Sequence, residues 1–292
     1  MCIIVLKKIN GKNILAKNRD RNYKPKIQII HELRNGIEIA YIRDMNTEWC
    51  EGLNQHGIGI INAALEIEYD ENPTAVDNDI HEESKQKYLN ALAKASPEEM
   101  IDNMFSSKFY NDISLQGHNI IAGSRFGLHL ESKTNVKPEA KILLDDTYIF
   151  TNHGINLKNT GYLYGVPLIS SILRKKLIEN EFANNQINEV DEVFKLMNKN
   201  YGNIIIDYHP YRNNKKVIWT TGQLLLNLTD KVLMYRYDVE NSYFEGIINK
   251  LPINYVPIIK IDVKSTKKNI QYSELPMSKS DIDEIINKYT KK

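Results

Sequence analysis

Apolar and polar positions in the first third of the chain alternate in short, strand-length runs. CIIVLK at 2–7 and NILAK at 13–17 flank Asn10-Gly11, and the runs 27–33 and 37–43 flank Asn35-Gly36 in the same way. An Asn-Gly pair between two such runs predicts a hairpin, because both central positions of a tight type I′ turn need positive φ. IGIINAAL at 58–65 is nearly all apolar and predicts a strand covered on both faces. Helical spacing follows at 81–94 and 97–104, the second opened by Ser96-Pro97-Glu98-Glu99, an N-cap with proline in the first turn. Strands are predicted at 118–122, 127–131, 140–144 and 147–151, helices at 166–180 and 188–198, and strands again at 203–208, 216–226 and 231–237. This order is not the strict alternation of a parallel α/β protein. It predicts an α+β fold in which two mainly antiparallel sheets pack face to face with helices outside. A single domain is expected over 1–260, with 261–292 a polar C-terminal extension. Within that extension Ser280-Asp281-Ile282-Asp283 would cap a short helix, and the lysines of 264–268 read as a solvated tail.

Composition narrows the function classes. The 292 residues are 42% hydrophobic and 26% charged, enough for a full core. Lys and Arg number 38 against 37 Asp and Glu, a net charge of +1, so no global field draws the chain to nucleic acid or an anionic membrane. No apolar run approaches a membrane span, and CIIVL runs straight into Lys7 and Lys8 without the body of a signal peptide. A cytoplasmic protein with no nucleic-acid or membrane partner is expected. Two cysteines make no disulfide framework, and no Cys/His spacing reads as a zinc site, so neither metal nor cofactor is expected.

One of those cysteines stands directly behind the initiator methionine. Removal of Met1 alone would give Cys2 a thiol and a free α-amine on the same residue. The thiolate is a nucleophile, and an amine with an ordinary pKa of about 7.7–8.0 can shuttle protons near neutrality. The bland alternative is a cysteine packed in a strand core. The second strand shifts the balance, because it ends in Lys17, Asn18, Arg19, Asp20 and Arg21. Pairing across Asn10-Gly11 brings Lys17 and Asp20 near Cys2, where a cation lowers a thiol pKa and a carboxylate can hold the ammonium.

With these features the sequence resembles the N-terminal-nucleophile hydrolases of the choloylglycine hydrolase, penicillin V acylase and acyl-coenzyme A:penicillin acyltransferase type. MC, a hairpin and the KN-x-DR ending carry the resemblance, together with EGLNQHGIGIINAAL (51–65), TNHG (151–154) and GVPLISSILRKK (165–176). It implies a four-layer αββα sandwich and a linear amide hydrolase acting through an acyl-Cys2 intermediate on an N-acyl amine or acyl amino acid. It also implies roles. Cys2 matches the nucleophile, Asp20 the carboxylate at its amino group, Asn152 the site asparagine and Arg174 the supporting arginine. Lys17, or Arg19 beside it, falls where bile salt hydrolases carry an arginine near the sulfur. Asn62 is the expected oxyanion donor, and Asn54 a turn residue. His153 and Tyr162 are expected at the substrate edge, with Tyr164 close by.

The remaining candidates read as structural. His56 sits in a turn facing solvent, His118 and His209 have no carboxylate at a telling spacing, and Cys50 is a buried small hydrophobe. Two rivals keep the fold: an acyltransferase passing the acyl group to an amine, and a non-catalytic binding protein. A homo-oligomer is compatible with the resemblance.

Overall fold

Both Asn-Gly pairs make the turns expected of them. Asn10 and Gly11 have φ of 48° and 77°, Asn35 and Gly36 of 52° and 80°. They join β1 (Cys2–Ile9) to β2 (Lys12–Arg21) and β3 (Lys26–Arg34) to β4 (Ile37–Asp44). The structure is a computed structural model that describes residues 2–65, 78–106, 117–133, 136–144, 146–157, 162–163, 166–167, 169–190, 192–199, 213–214, 218–237, 243–247, 258–263 and 278–290.

The chain continues through β5 (Trp49–Asn54), β6 (Gly59–Ala64), α1 (Asn78–Leu92), α2 (Pro97–Ser106), β7 (Gly117–Ala122), β8 (Gly127–Lys133), β9 (Val136–Ile142) and β10 (Thr147–Phe150). The short β11 (Tyr162–Leu163) and β12 (Val166–Pro167) precede α3 (Ile169–Asn184) and α4 (Glu192–Met197). Then come β13 (Asn213–Asn214), β14 (Ile218–Asn227), β15 (Val232–Tyr237), β16 (Tyr243–Ile247), β17 (Ile259–Asp262) and α5 (Lys279–Thr290).

One sheet runs β10-β1-β2-β14-β15-β17 with β13 against β14; the other runs β16-β3-β4-β5-β6-β7-β8-β9. Every pairing in them is antiparallel except β16 with β3. The period of two along each strand separates three apolar layers. Cys2, Ile4, Leu6 and Leu15 face Ile61, Ala63 and Ile120 between the sheets. Ile3 and Val5, on the other face of β1, pack on Ile178 and Phe194 of α3 and α4. Ile60 and Ile121, on the outer face of the second sheet, pack under Leu89, Met100 and Ile282 of α1, α2 and α5. The result is the αββα sandwich expected.

Several elements differ from expectation. β2 runs on to Arg21, so the charged segment is inside a strand rather than at its end. β5, β16 and β17 were not foreseen. α3 begins at Ile169, because Val166 and Pro167 are extended in β12, as a residue before proline prefers. The strand expected at 203–208 lies outside the described residues. The boundary expected at 260 falls within β17, which pairs with β15, and α5 buries Ile282 and Ile286 against the helical layer. The amphipathic period of α5, not its polar composition, decides that docking. Its cap is Ser278, whose hydroxyl accepts from Asp281 N–H, rather than Ser280. At α2 the expected cap forms, with Ser96 Oγ accepting from Glu99 N–H. No helix of the described residues is long and apolar enough to cross a membrane.

Candidate active site

The start of β1 is held from several directions. Cys2 N donates to Asn152 Oδ1 at 2.9 Å, and Arg174 of α3 donates to Cys2 O at 3.3 Å and to the same Asn152 Oδ1 at 3.1 Å. Asn152 is fixed in turn: its Nδ2 donates to Ala64 O at 2.6 Å, and its backbone N–H donates to Ser171 Oγ at 2.8 Å. Asp20 lies 3.7 Å from Arg174 Nη1 and accepts from Thr220 Oγ1 at 2.8 Å. Asp20, Asn152 and Arg174 therefore form one buried group around the backbone of Cys2.

The sulfur faces the other way, into the space between the sheets. Cys2 pairs with Arg19 across the hairpin, so Lys17, Arg19 and Arg21 share its side of β2 while Asn18 and Asp20 point to the opposite side. Buried cations need partners, and the facing sheet provides them. Lys17 Nζ is bound to Glu51 Oε1 and Asn62 O; Arg19 Nη1 binds Glu51 Oε2 at 2.5 Å. Asp44 lies 3.6 Å from Arg19 Nη2 and 3.3 Å from Arg21 Nε, and Tyr23 donates to it at 2.7 Å. Arg21 Nη1 reaches Cys2 Sγ at 3.8 Å.

Burial alone would raise the Cys2 thiol, but Lys17, the chain's amino terminus and Arg21 outweigh it and lower the pKa to about 7. Cys50, buried on the outer side of the second sheet, is pushed well above the ordinary thiol range by desolvation. Burial also works to raise Glu51, yet Lys17 and Arg19 hold it below the usual carboxylate range. Among the described residues on the sulfur's side, Lys17, Arg19 and Arg21 face Glu51 and Asp44, and this excess of positive charge favours a Cys2 thiolate.

No family model and no curated protein matches the sequence. Solved structures match it in shape. A variant of the conjugated bile acid hydrolase from Clostridium perfringens is similar at a TM-score of 0.54 and 14% identity, over 90% of this chain and 92% of that one. A second variant of that enzyme is similar at 0.50 and 13% identity, over 92% of this chain and all, 100%, of that one. This is the N-terminal-nucleophile hydrolase fold.

Within this N-terminal-nucleophile hydrolase fold the expected residues divide. Cys2, Asp20, Asn152 and Arg174 converge. Lys17 is on the sulfur's side, but its ammonium is held by Glu51, and the guanidinium in contact with sulfur belongs to Arg21, not Arg19. Lys17 and Asp20 do not stand together, because an odd and an even position of one strand face opposite ways. Asn62 is turned away. Its neighbours Ile61 and Ala63 belong to the core between the sheets, whereas its own amide donates to Asn119 Oδ1 at 3.3 Å on the outer face with Ile60. The oxyanion role expected of its side chain is not the one its orientation offers. Asn54 is the expected turn residue: Oδ1 accepts from His56 and Ile58 N–H. His56 in that turn is half-buried.

His153 is braced rather than free, with Nδ1 at 3.1 Å from Thr151 Oγ1 and 2.9 Å from Ser171 Oγ. The side chain of Tyr162, together with Tyr164 and His209, lies outside what is described. Glu51, Asp44, Arg21 and Ser171 were missed in the sequence. Arg21 had a signal, since it continues the odd-numbered face of Lys17 and Arg19. Glu51 had none, because no alternation of apolar and polar positions marks Trp49–Asn54 as a strand.

Proposed function

We propose that this chain is a cysteine N-terminal-nucleophile hydrolase that cleaves a linear amide through an acyl-Cys2 intermediate after loss of Met1. The observation that carries the reading is the two-sided environment of Cys2: a nitrogen held by Asn152 and a thiol lowered to about 7 among cations. The bile acid hydrolase of the same fold supports the reaction class, and the N-acyl amine or acyl amino acid substrate class rests on the sequence resemblance.

The steps follow from the groups present. Cys2 Sγ attacks the amide carbonyl, and its carbon–nitrogen bond breaks as the α-amine of Cys2 passes a proton to the leaving amine. Water then attacks the thioester, giving its proton to the same amine, and the carboxylic acid departs. Asn152, oriented by Arg174 and Ser171, holds the amine, and Asp20 balances the charge of Arg174. Negative charge on the carbonyl oxygen develops beside the cations of β2, and Arg21, already in contact with Sγ, is placed to share it. We assign the oxyanion to that side rather than to the Asn62 side chain.

The test is the intact mass of the purified protein before and after brief iodoacetamide exposure at neutral pH, followed by a panel of N-acyl amino acids and N-acyl amines. A chain lacking Met1, alkylated at Cys2 well ahead of Cys50, and turnover of an amide in that panel are expected. Retained Met1, or a Cys2 no more reactive than Cys50, overturns the mechanism.

A further inference from the structure

A second cluster of chemically capable side chains lies between the sheets. His118 on β7 stands opposite Glu131 on β8, and His129 is two residues before Glu131 on the same face of that strand. One ring nitrogen of each histidine and a carboxylate oxygen all fall within 4.8 Å of one another. The three residues are 0–1% exposed. No sequence spacing announced them, because the histidines are on different strands and meet only through pairing.

The hydrogen bonds define which nitrogens are available. His118 Nε2 lies 3.0 Å from the carbonyl oxygen of His153, which only accepts, so Nε2 carries the proton and Nδ1 the lone pair. His129 Nε2 is 2.8 Å from that lone pair, and its Nδ1 is 3.4 Å from the Asn156 side-chain amide. In the metal-free site His129 Nε2–H donates to His118 Nδ1; turning the Asn156 amide lets its oxygen accept a proton on His129 Nδ1 instead, which frees both facing nitrogens for a cation that displaces their hydrogen bond. Glu131 accepts from the backbone N–H groups of Ile155, Asn156 and Leu157 at 2.8–3.3 Å. Both Glu131 oxygens are thereby oriented by backbone N–H groups, and imidazoles and carboxylates fixed by such partners are the arrangement that orients metal ligands.

The geometry points to a divalent-metal site of the zinc class, with His118 Nδ1, His129 Nε2 and a Glu131 oxygen as protein ligands. Two imidazoles and a carboxylate suit a borderline cation, whose fourth position falls to water or another oxygen donor. Each ligand also holds the 153–157 segment, which follows directly on Asn152. A bound cation therefore locks the segment next to the Cys2-holding Asn152, and metal uptake stiffens the nucleophile's surroundings without joining the reaction. The inference does not depend on Cys2 being catalytic.

The experiment uses the full chain carrying Cys2→Ser, so that no low-pKa thiol competes. After chelator treatment it is titrated with Co²⁺, which is then displaced by Zn²⁺. One equivalent of Co²⁺ with visible d–d absorption and no thiolate charge-transfer band is expected, as is an unfolding midpoint that rises with free Zn²⁺. His129→Gln and Glu131→Gln should each weaken binding by at least the roughly 10–100-fold that loss of an outer-shell partner costs. Circular dichroism checks that both variants fold. No stoichiometric uptake by Cys2→Ser overturns the site whatever the variants do, and so does uptake that survives both substitutions.

Discussion

Cys2 and Cys50 are equally enclosed by protein, yet their neighbours send them to different sides of the ordinary thiol range. At Cys2 the cost of burial is outweighed by Lys17, the amino terminus and Arg21; at Cys50 desolvation dominates. Alkylation follows the thiolate, so its rate at Cys2 should rise through a midpoint near pH 7 and fall about tenfold per pH unit well below it. Mapping labelled peptides across pH checks this, with Cys50 silent throughout. Arg21→Leu should move the midpoint upward, since removing a cation disfavours the thiolate, and should lower kcat more than it raises KM. Asn62→Ala makes a sharper demand. A lost oxyanion donor costs roughly 2.7–4 kcal/mol, whereas an amide directed at Asn119 should cost kcat/KM only a few-fold. A loss of a hundredfold or more would show that Asn62 reaches the carbonyl after all. At this scale the nucleophile and its backbone partners were legible, because a cysteine behind Met1 and the TNHG segment are local signals. The direction of Asn62 was not, because reading it requires knowing which face of β6 meets β1.

Among elements, the informative pair is β2 against β5. A strand that places Lys17, Arg19 and Arg21 on one buried face cannot be accommodated without an acidic counterpart, and Glu51 supplies most of it. Removing one partner of a buried ion pair typically costs about 3–5 kcal/mol, so Glu51→Gln should destabilise on that order in urea unfolding. The pH dependence has a definite sign. Glu51 has a folded pKa below its unfolded value of about 4.3, so its contribution is complete above that value and disappears as pH falls through the lower folded pKa. The gap between parent and Glu51→Gln should therefore close in acid. β5 escaped the sequence reading because WCEGLN looks like a turn leading into NQHG. Gly52 is there because β4 approaches closely: a Cβ would lie 2.1 Å from Ala40 O.

For the whole molecule, α5 (Lys279–Thr290) is part of the sandwich. Ile282 and Ile286 of α5 are each 1% exposed in the layer that covers the second sheet. Burying one such side chain is worth about 1.5–3 kcal/mol, so deleting 278–292 should lower the unfolding midpoint clearly and expose apolar surface to a dye; an appended tail would leave both unchanged. Secondary structure was set largely by the sequence: Asn-Gly pairs that accept positive φ, the Ser96 cap, and apolar periods of two or near four are properties of a few neighbouring residues. So was the presence of a nucleophile candidate at the chain's start. The convergence of Arg21, Lys17 and Glu51 at the sulfur, the turning away of Asn62 and the meeting of His118, His129 and Glu131 were decided by the tertiary structure. Those arrangements join residues far apart in the chain, and strand pairing and the face-to-face packing of two sheets, not local preference, set which side chains share a space.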